Sequence, residues 1–201
     1  MQDKVFKNII KEIKSYSIHT AKENGWDWYY YVHQKEVVRC AEILLGKHKA
    51  NNEIVVIAAW LHDISKYSVR LEKFTHAMQK RHNIDSAKIA DKLLDNLGLD
   101  KKEREQVRQC ILRHRNGGKY KVRNIEEKVL TVADAMSHFT GVFYFLHHKF
   151  HSEDSVEEMV EKHIEKFEED WRDLGLLPGA KKLVKKEYDI FMKLHKNYKS
   201  N

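Results

Sequence analysis

The 201-residue chain is predicted to be all-α, a single-domain helical bundle over residues 1–201, and three observations carry that prediction. Long Lys-, Glu-, Leu- and Ala-rich stretches favour helix. One proline and eight glycines leave little turn chemistry for hairpins. Apolar residues recur at helical spacing, and no linker, internal repeat or low-complexity tract divides a chain long enough for one sizeable core.

A first helix is expected over residues near 3–22, where Val5, Ile9, Ile10, Ile13 and Tyr16 share a face. The segment Glu23-Asn24-Gly25-Trp26-Asp27 breaks it. A second runs from about Trp28 to Leu45, with His33 in its first half and Gly46 as C-cap. Asn51-Asn52 caps a third, whose run Ile54-Val55-Val56-Ile57-Ala58-Ala59-Trp60-Leu61 marks it as the most deeply buried element. After a less regular stretch around Ser65 to Arg81, Asn83 or Asp85 caps a helix through Leu97, which Gly98 stops.

Asp100 caps the next helix, through about Arg113. The loop Asn116-Gly117-Gly118-Lys119-Tyr120 follows His114 directly and holds the chain's only Gly-Gly, where backbone can bend close to a ligand. Asn124 caps a helix through Val129, Val132 and Met136 towards Phe145, before a break at His147, His148 and His151. A helix over about 154–173 follows. Gly175 to Gly179, with Pro178, separates it from a last amphipathic helix whose Leu183, Val184, Ile190, Phe191 and Leu194 face the core. The helices over 154–199 pack on a motif-bearing core of about 28–140.

Cys40 and Cys110 sit in helical patterns without a CxxC partner, so they read as small buried hydrophobes and suggest neither a disulfide framework nor a thiolate zinc site. No apolar stretch approaches the roughly 18 to 20 residues that span a bilayer, and Met1-Gln2-Asp3-Lys4 leads into a polar pattern, so a cytoplasmic protein is expected. The net charge of +7 could attract nucleic acid, anionic nucleotides or a membrane surface and discriminates weakly. In the last helix Lys181, Lys182, Lys185, Lys186, Lys193, Lys196 and Lys199 are interspersed with Glu187 and Asp189. No aromatic platform stands beside them, so this face reads as solvated.

The doublet His62-Asp63 ends the apolar third helix. Two ionisable side chains there are costly unless paired, and a divalent cation takes both an imidazole nitrogen and a carboxylate oxygen as ligands. Asp134 interrupts Val129-Leu130-Thr131-Val132-Ala133 before Ala135-Met136, where an unpaired carboxylate would cost several kcal/mol or take up a proton. With His33, three helices then contribute four candidate metal ligands: His33, His62, Asp63 and Asp134. Taken singly, His33 could be a surface or core histidine, Asp63 a cap for the next turn, and Asp134 a hydrogen-bonded core acid.

These residues resemble the H...HD...D pattern of the HD domain superfamily of metal-dependent phosphohydrolases. The likeness rests on His33, on Ala58-Ala59-Trp60-Leu61-His62-Asp63-Ile64-Ser65-Lys66 and on Val132-Ala133-Asp134-Ala135, over about residues 28–140. It implies an all-helical scaffold with His33, His62, Asp63 and Asp134 on a divalent metal. The identity among Mn, Mg, Co, Ni, Fe and Zn is open, with one or two ions per chain. Members with further histidines between the doublet and the last Asp use them for substrate or a second metal, and His82 and His114 stand in such positions. Two metals about 3.5 to 4 Å apart could activate a bridging water and clamp a phosphoryl transfer.

Lys66 sits three positions after the doublet, close to the family's His-Asp-Ile-Gly-Lys form with Ser65 in place of the glycine, and its ammonium could hold a phosphate. Arg115 and Lys121, flanking the glycine loop, could do the same. Alone, each is a solvated charge. His138, one turn after Asp134, could orient it. The default for His19, His48, His76, His147, His148, His151, His163 and His195 is the surface, with His147, His148 and His151 as an adventitious metal patch. No Gly-Tyr-Pro motif of cyclic-dinucleotide members is present, and no convincing Glu-Asp pair is placed after the doublet as in the superfamily's alarmone hydrolases.

The expected function is hydrolysis of a nucleotide or other small phosphate ester through a metal-activated water. Asp63 shares metal binding and proton handling, and Lys66, His114 and Arg115 offset phosphate charge. The expected partner is a small phosphorylated substrate, foremost a nucleotide. Membranes and nucleic acid are not expected, and a homodimer is left open. The alternatives are a non-catalytic nucleotide- or metal-sensing module, which binds without turnover, and a nucleic-acid binder, whose affinity falls steeply with salt and survives loss of the four ligands.

Overall fold

The computed structural model describes residues 3–150 and 155–199, without the side chains of 148–150 and 199. Among them there is no strand. The helices are α1 (Asp3–Glu23), α2 (Asp27–Tyr29), α3 (Lys35–Leu45), α4 (Asn52–Leu61), α5 (Ile64–Tyr67) and α6 (His76–Asn96). They continue as α7 (Lys101–Arg113), α8 (Ile125–Thr140), α9 (Phe143–Phe150), α10 (Val156–Asp173) and α11 (Ala180–Lys199). A π-helical segment, Tyr30–Gln34, joins α2 to α3.

Capping side chains start the helices where the sequence signals them. Asn51 accepts from the Ile54 amide, Asp100 from those of Lys102 and Glu103, and Asn124 from that of Glu127. Ser155 and Glu158 form a reciprocal capping box at α10. Gly98 (φ 77°) and Gly179 (φ 82°) take the left-handed conformation that a side chain would strain, the first ending α6 and the second preceding α11.

Helix α8 is the hub. It packs on α3, α4, α7, α10 and α11, and its Val129, Leu130, Val132, Ala133, Met136 and Phe139 are buried. Ile54, Val55, Ile57, Ala58, Ala59, Trp60 and Leu61 of α4 are buried in the same core, as its apolar run predicts. Cys40 and Cys110 are free and buried, and burial pushes the Cys40 thiol up to about 12. No helix among the described residues is long and apolar enough to cross a membrane.

Four expectations are corrected. Helix α6 begins at His76 with Thr75 as its cap, so neither Asn83 nor Asp85 starts it. Its first turn is solvent-exposed on nearly every face and carries no apolar period to read. Asn83 instead lies in the second turn and donates to the Leu112 carbonyl (2.7 Å), while Asp85 pairs with Arg81. Helix α8 stops at Thr140 with Gly141 extended, and His147 lies within α9; His151 is outside the described residues.

On α11 the core face is Val184, Phe191 and Met192, whereas Leu183, Ile190 and Leu194 are exposed. On α1, Ile9 and Ile13 are buried but Val5 and Tyr16 are exposed. In both helices the buried face is narrower than the apolar stripe.

Candidate metal centre

The doublet sits where α4 turns into α5. His62 is the C-cap of α4 and Asp63 precedes α5, but the Asp63 side chain makes no capping bond and turns into a cavity instead. That cavity, of about 420 Å³, is lined by His33, Asp63, Lys66, His82, His114, Asp134 and His138, and by the aromatics Trp26, Tyr29, Phe74, Phe143 and Tyr144. His33 enters from the π-helical segment, a distortion that recurs at functional sites because it re-aims a side chain. His82 comes from α6, His114 from the C-cap of α7, and Asp134 and His138 from one face of α8.

Two donor sets converge there. His33, His62 and Asp134 form one, and Asp63, His82 and His114 the other. In the first, His33 Nε2 lies 3.2 Å from Asp134 Oδ1 and 3.3 Å from His62 Nε2, which is 3.7 Å from Asp134 Oδ1. In the second, His82 Nε2 lies 3.1 Å from both Asp63 Oδ1 and His114 Nε2. Asp63 joins them: its Oδ2 is 3.6 Å from His33 Nε2 and 3.5 Å from His62 Nε2, while Oδ1 faces His82.

Hydrogen bonds fix the tautomers. His62, His82 and His114 each place Nδ1 on the carbonyl three residues earlier, at Ala59 (2.9 Å), Gln79 (2.7 Å) and Ile111 (2.7 Å), so Nδ1 carries the proton. Ser137 gives its hydroxyl proton to the Asp134 carbonyl, so its oxygen accepts from His33 Nδ1 at 3.3 Å. By this assignment all four Nε2 atoms point lone pairs inward, where they meet one another and carboxylate oxygens rather than donors.

Burial holds the imidazoles neutral, lowering His33 to about 4, His82 to about 3 and His114 to about 4. Burial pushes the Asp63 carboxyl up, but the Lys66 ammonium together with the neighbouring His62, His82 and His114 outweighs it, and the group stays well below the usual carboxylate range.

A divalent cation fits this arrangement. Lone pairs crowded at about 3 Å repel unless a positive charge stands between them. Donors about 2.0 to 2.2 Å from one ion lie about 3.0 to 3.6 Å from each other, and the separations given above, 3.1 to 3.7 Å, lie close to that. Asp63 Oδ1 adds a direct sign: it is buried, and among the described residues nothing donates to it, since His82 Nε2 has no proton to give.

The other sequence-chosen residues lie around this centre. Lys66 is buried with its ammonium on Asp63 Oδ2 (2.7 Å) and the Tyr29 hydroxyl (2.6 Å), which leaves one of its three donors for another acceptor. Arg115 is exposed on the cavity rim, held by the Lys80 carbonyl (2.9 Å). Lys121 does not line this cavity but an adjoining hollow.

His138 is buried, stacked on His33 (centroids 5.1 Å, 10°), with Nδ1 2.9 Å from Asp170 and Nε2 4.0 Å from Asp134. His163 is also buried and His147 lines the cavity, against the surface default for both.

Sequence reasoning missed three supports. Tyr29 donates to Asp63 Oδ2 at 2.5 Å, one helical turn before His33, a spacing that was available in the sequence. Asp170 of α10 is fully buried, taking Lys166 (2.7 Å) and Tyr144 (3.0 Å) as well as His138, yet in the sequence it is one acid among many in that helix. Ser65, at the family's glycine position, donates to the His82 carbonyl (3.1 Å) and accepts from Ser86 (2.9 Å), stitching α5 to α6 beside the second donor set.

The family model described as HD domain matches residues 30–138, more than half of the chain and a span that contains both donor sets. Neither the curated proteins nor the solved structures yield a match. On the strength of that span, the chain belongs to the HD domain superfamily of metal-dependent phosphohydrolases.

Proposed function

We propose that the chain hydrolyses a nucleotide or another small phosphate ester, with His33, His62 and Asp134 on one divalent cation, His82 and His114 on a second, and Asp63 shared. The observation that carries this is the Asp63 carboxylate, which offers one oxygen to each donor set. Divalent cations held there supply Lewis acidity, which acidifies water and polarises a phosphoryl oxygen.

The chain's own residues set the frame. Tyr29 and Lys66 hold Asp63 Oδ2, so the carboxylate cannot rotate and Oδ1 stays aimed at the second set. Its depressed pKa keeps Asp63 ionised, which suits an electron-pair donor to cations and disfavours carrying a proton through turnover. The free donor of Lys66 and the guanidinium of Arg115 meet phosphate oxygens from inside and from the rim. The aromatic walls keep water from the organic part of the substrate.

Elemental analysis of the purified protein, with turnover of a panel of nucleotides and phosphate esters in Mn, Mg, Co or Ni, tests this. Bound transition metal and metal-dependent release of phosphate are expected. Asp63→Ala abolishes both, and a fully active Asp63→Ala protein overturns the assignment.

A further inference from the structure

A second hollow, of about 520 Å³, adjoins the metal cavity and shares Arg115, Glu169 and Asp173 with it. Its distinctive lining is cationic: Arg115 after α7, Lys121 after the 3-10 turn Gly118–Tyr120, Lys128 on α8 and Arg172 on α10. Among the described residues none of these four forms an ion pair, although 30 acidic residues are spread along the chain. Four converging cations repel one another unless an anion joins them, and only Glu169 and Asp173 stand against them, both at the shared rim.

The hollow is preformed. Asn116, at φ 47°, accepts from the Val122 amide (3.2 Å) and donates to Asp173 Oδ1 (2.9 Å), so one side chain closes the glycine loop and ties it to α10. The Arg113 guanidinium holds the Lys121 carbonyl at 2.9 Å, fixing the far side. No aromatic residue lines it, whereas five line the metal cavity. Stacking of bases therefore belongs to the metal cavity, and a strand-binding track lacks its platform here.

We infer that this hollow binds a second phosphate of the same substrate, so that the favoured substrates are small molecules carrying two separated phosphate groups. The inference rests on the phosphohydrolase reading for the first phosphate. Arg115 is the bridge, because it follows His114 directly and lines both spaces. Arg172 and Arg115 can each grip a phosphate through two parallel N–H bonds, and Lys121 and Lys128 add point charges.

The test uses probes that resist hydrolysis: butylphosphonate and butane-1,4-diphosphonate, titrated calorimetrically into the manganese-loaded protein. The diphosphonate is expected to bind at least about tenfold tighter. In Lys128→Ala/Arg172→Ala that advantage disappears while the monophosphonate affinity is unchanged. Equal affinities in the wild type, or an advantage that survives the double variant, overturn the inference. So does tighter binding of a single-stranded oligonucleotide than of the diphosphonate through the same two side chains. Absence of phosphate-ester turnover would instead sink the hydrolase assignment and leave this binding result standing.

Discussion

The two halves of the centre are held in place by different forces. His33, His62 and Asp134 come from the π-helical segment, α4 and α8, which meet in the apolar core, so side-chain packing sets their spacing. Asp63, His82 and His114 come from the α4–α5 turn, α6 and the end of α7, and a chain of polar stitches aligns them. Ser65 binds the His82 carbonyl, and Asn83 binds the Leu112 carbonyl between the elements that carry His82 and His114. Packing is tolerant of small changes, whereas a buried hydrogen bond leaves an unsatisfied partner when cut. The second half is therefore the more easily detuned.

The largest effect is expected where the halves meet. Asp63→Ala removes a donor from both, and phosphate-ester turnover should fall by about 10³-fold or more, with a matching loss of metal content on elemental analysis. An Asp63→Ala protein that retained one full equivalent of metal would confine Asp63 to the second half.

Much of the first half was legible in the sequence because its residues offend against their surroundings. His62-Asp63 and Asp134 interrupt apolar runs, and burial of those runs forces an explanation. The second half announces itself less. His82 lies in a helix whose first turn has no apolar face, so periodicity placed that segment in irregular structure. The supports were hidden for another reason: Tyr29 and Asp63 are 34 positions apart, and His138 and Asp170 are 32 apart. Helical spacing says nothing about such pairings. The break at Gly141 was missed because apolar residues continue through Phe143, Tyr144 and Phe145 and mask the change of direction.

Ser65→Ala distinguishes the two forces. It removes the bond to the His82 carbonyl and the acceptor for Ser86, and should weaken the second cation by about 10- to 100-fold in a manganese titration while leaving the first unchanged. Equal weakening of both would mean that the halves share one support.

A smaller effect is expected from acid on the chelator-treated protein. His33, His82 and His114 titrate near 4, 3 and 4 in the fold, below their ordinary 6.5, so the unfolded chain takes up their protons first as pH falls. Stability is therefore complete above about pH 6.5 and declines progressively towards about pH 3, where the folded rings protonate too. The thermal midpoint should drop by several degrees between pH 7 and about 5, and His82→Asn should flatten that slope. A midpoint independent of pH over this range would mean that the imidazoles are not buried neutral.

The most direct measurement is anomalous diffraction from crystals of the manganese-loaded protein. Two peaks are predicted, about 3.5 to 4 Å apart, one against His33, His62 and Asp134 and one against His82 and His114, with Asp63 touching both. A single peak away from Asp63, or no peak in the cavity, would contradict a centre built around that carboxylate.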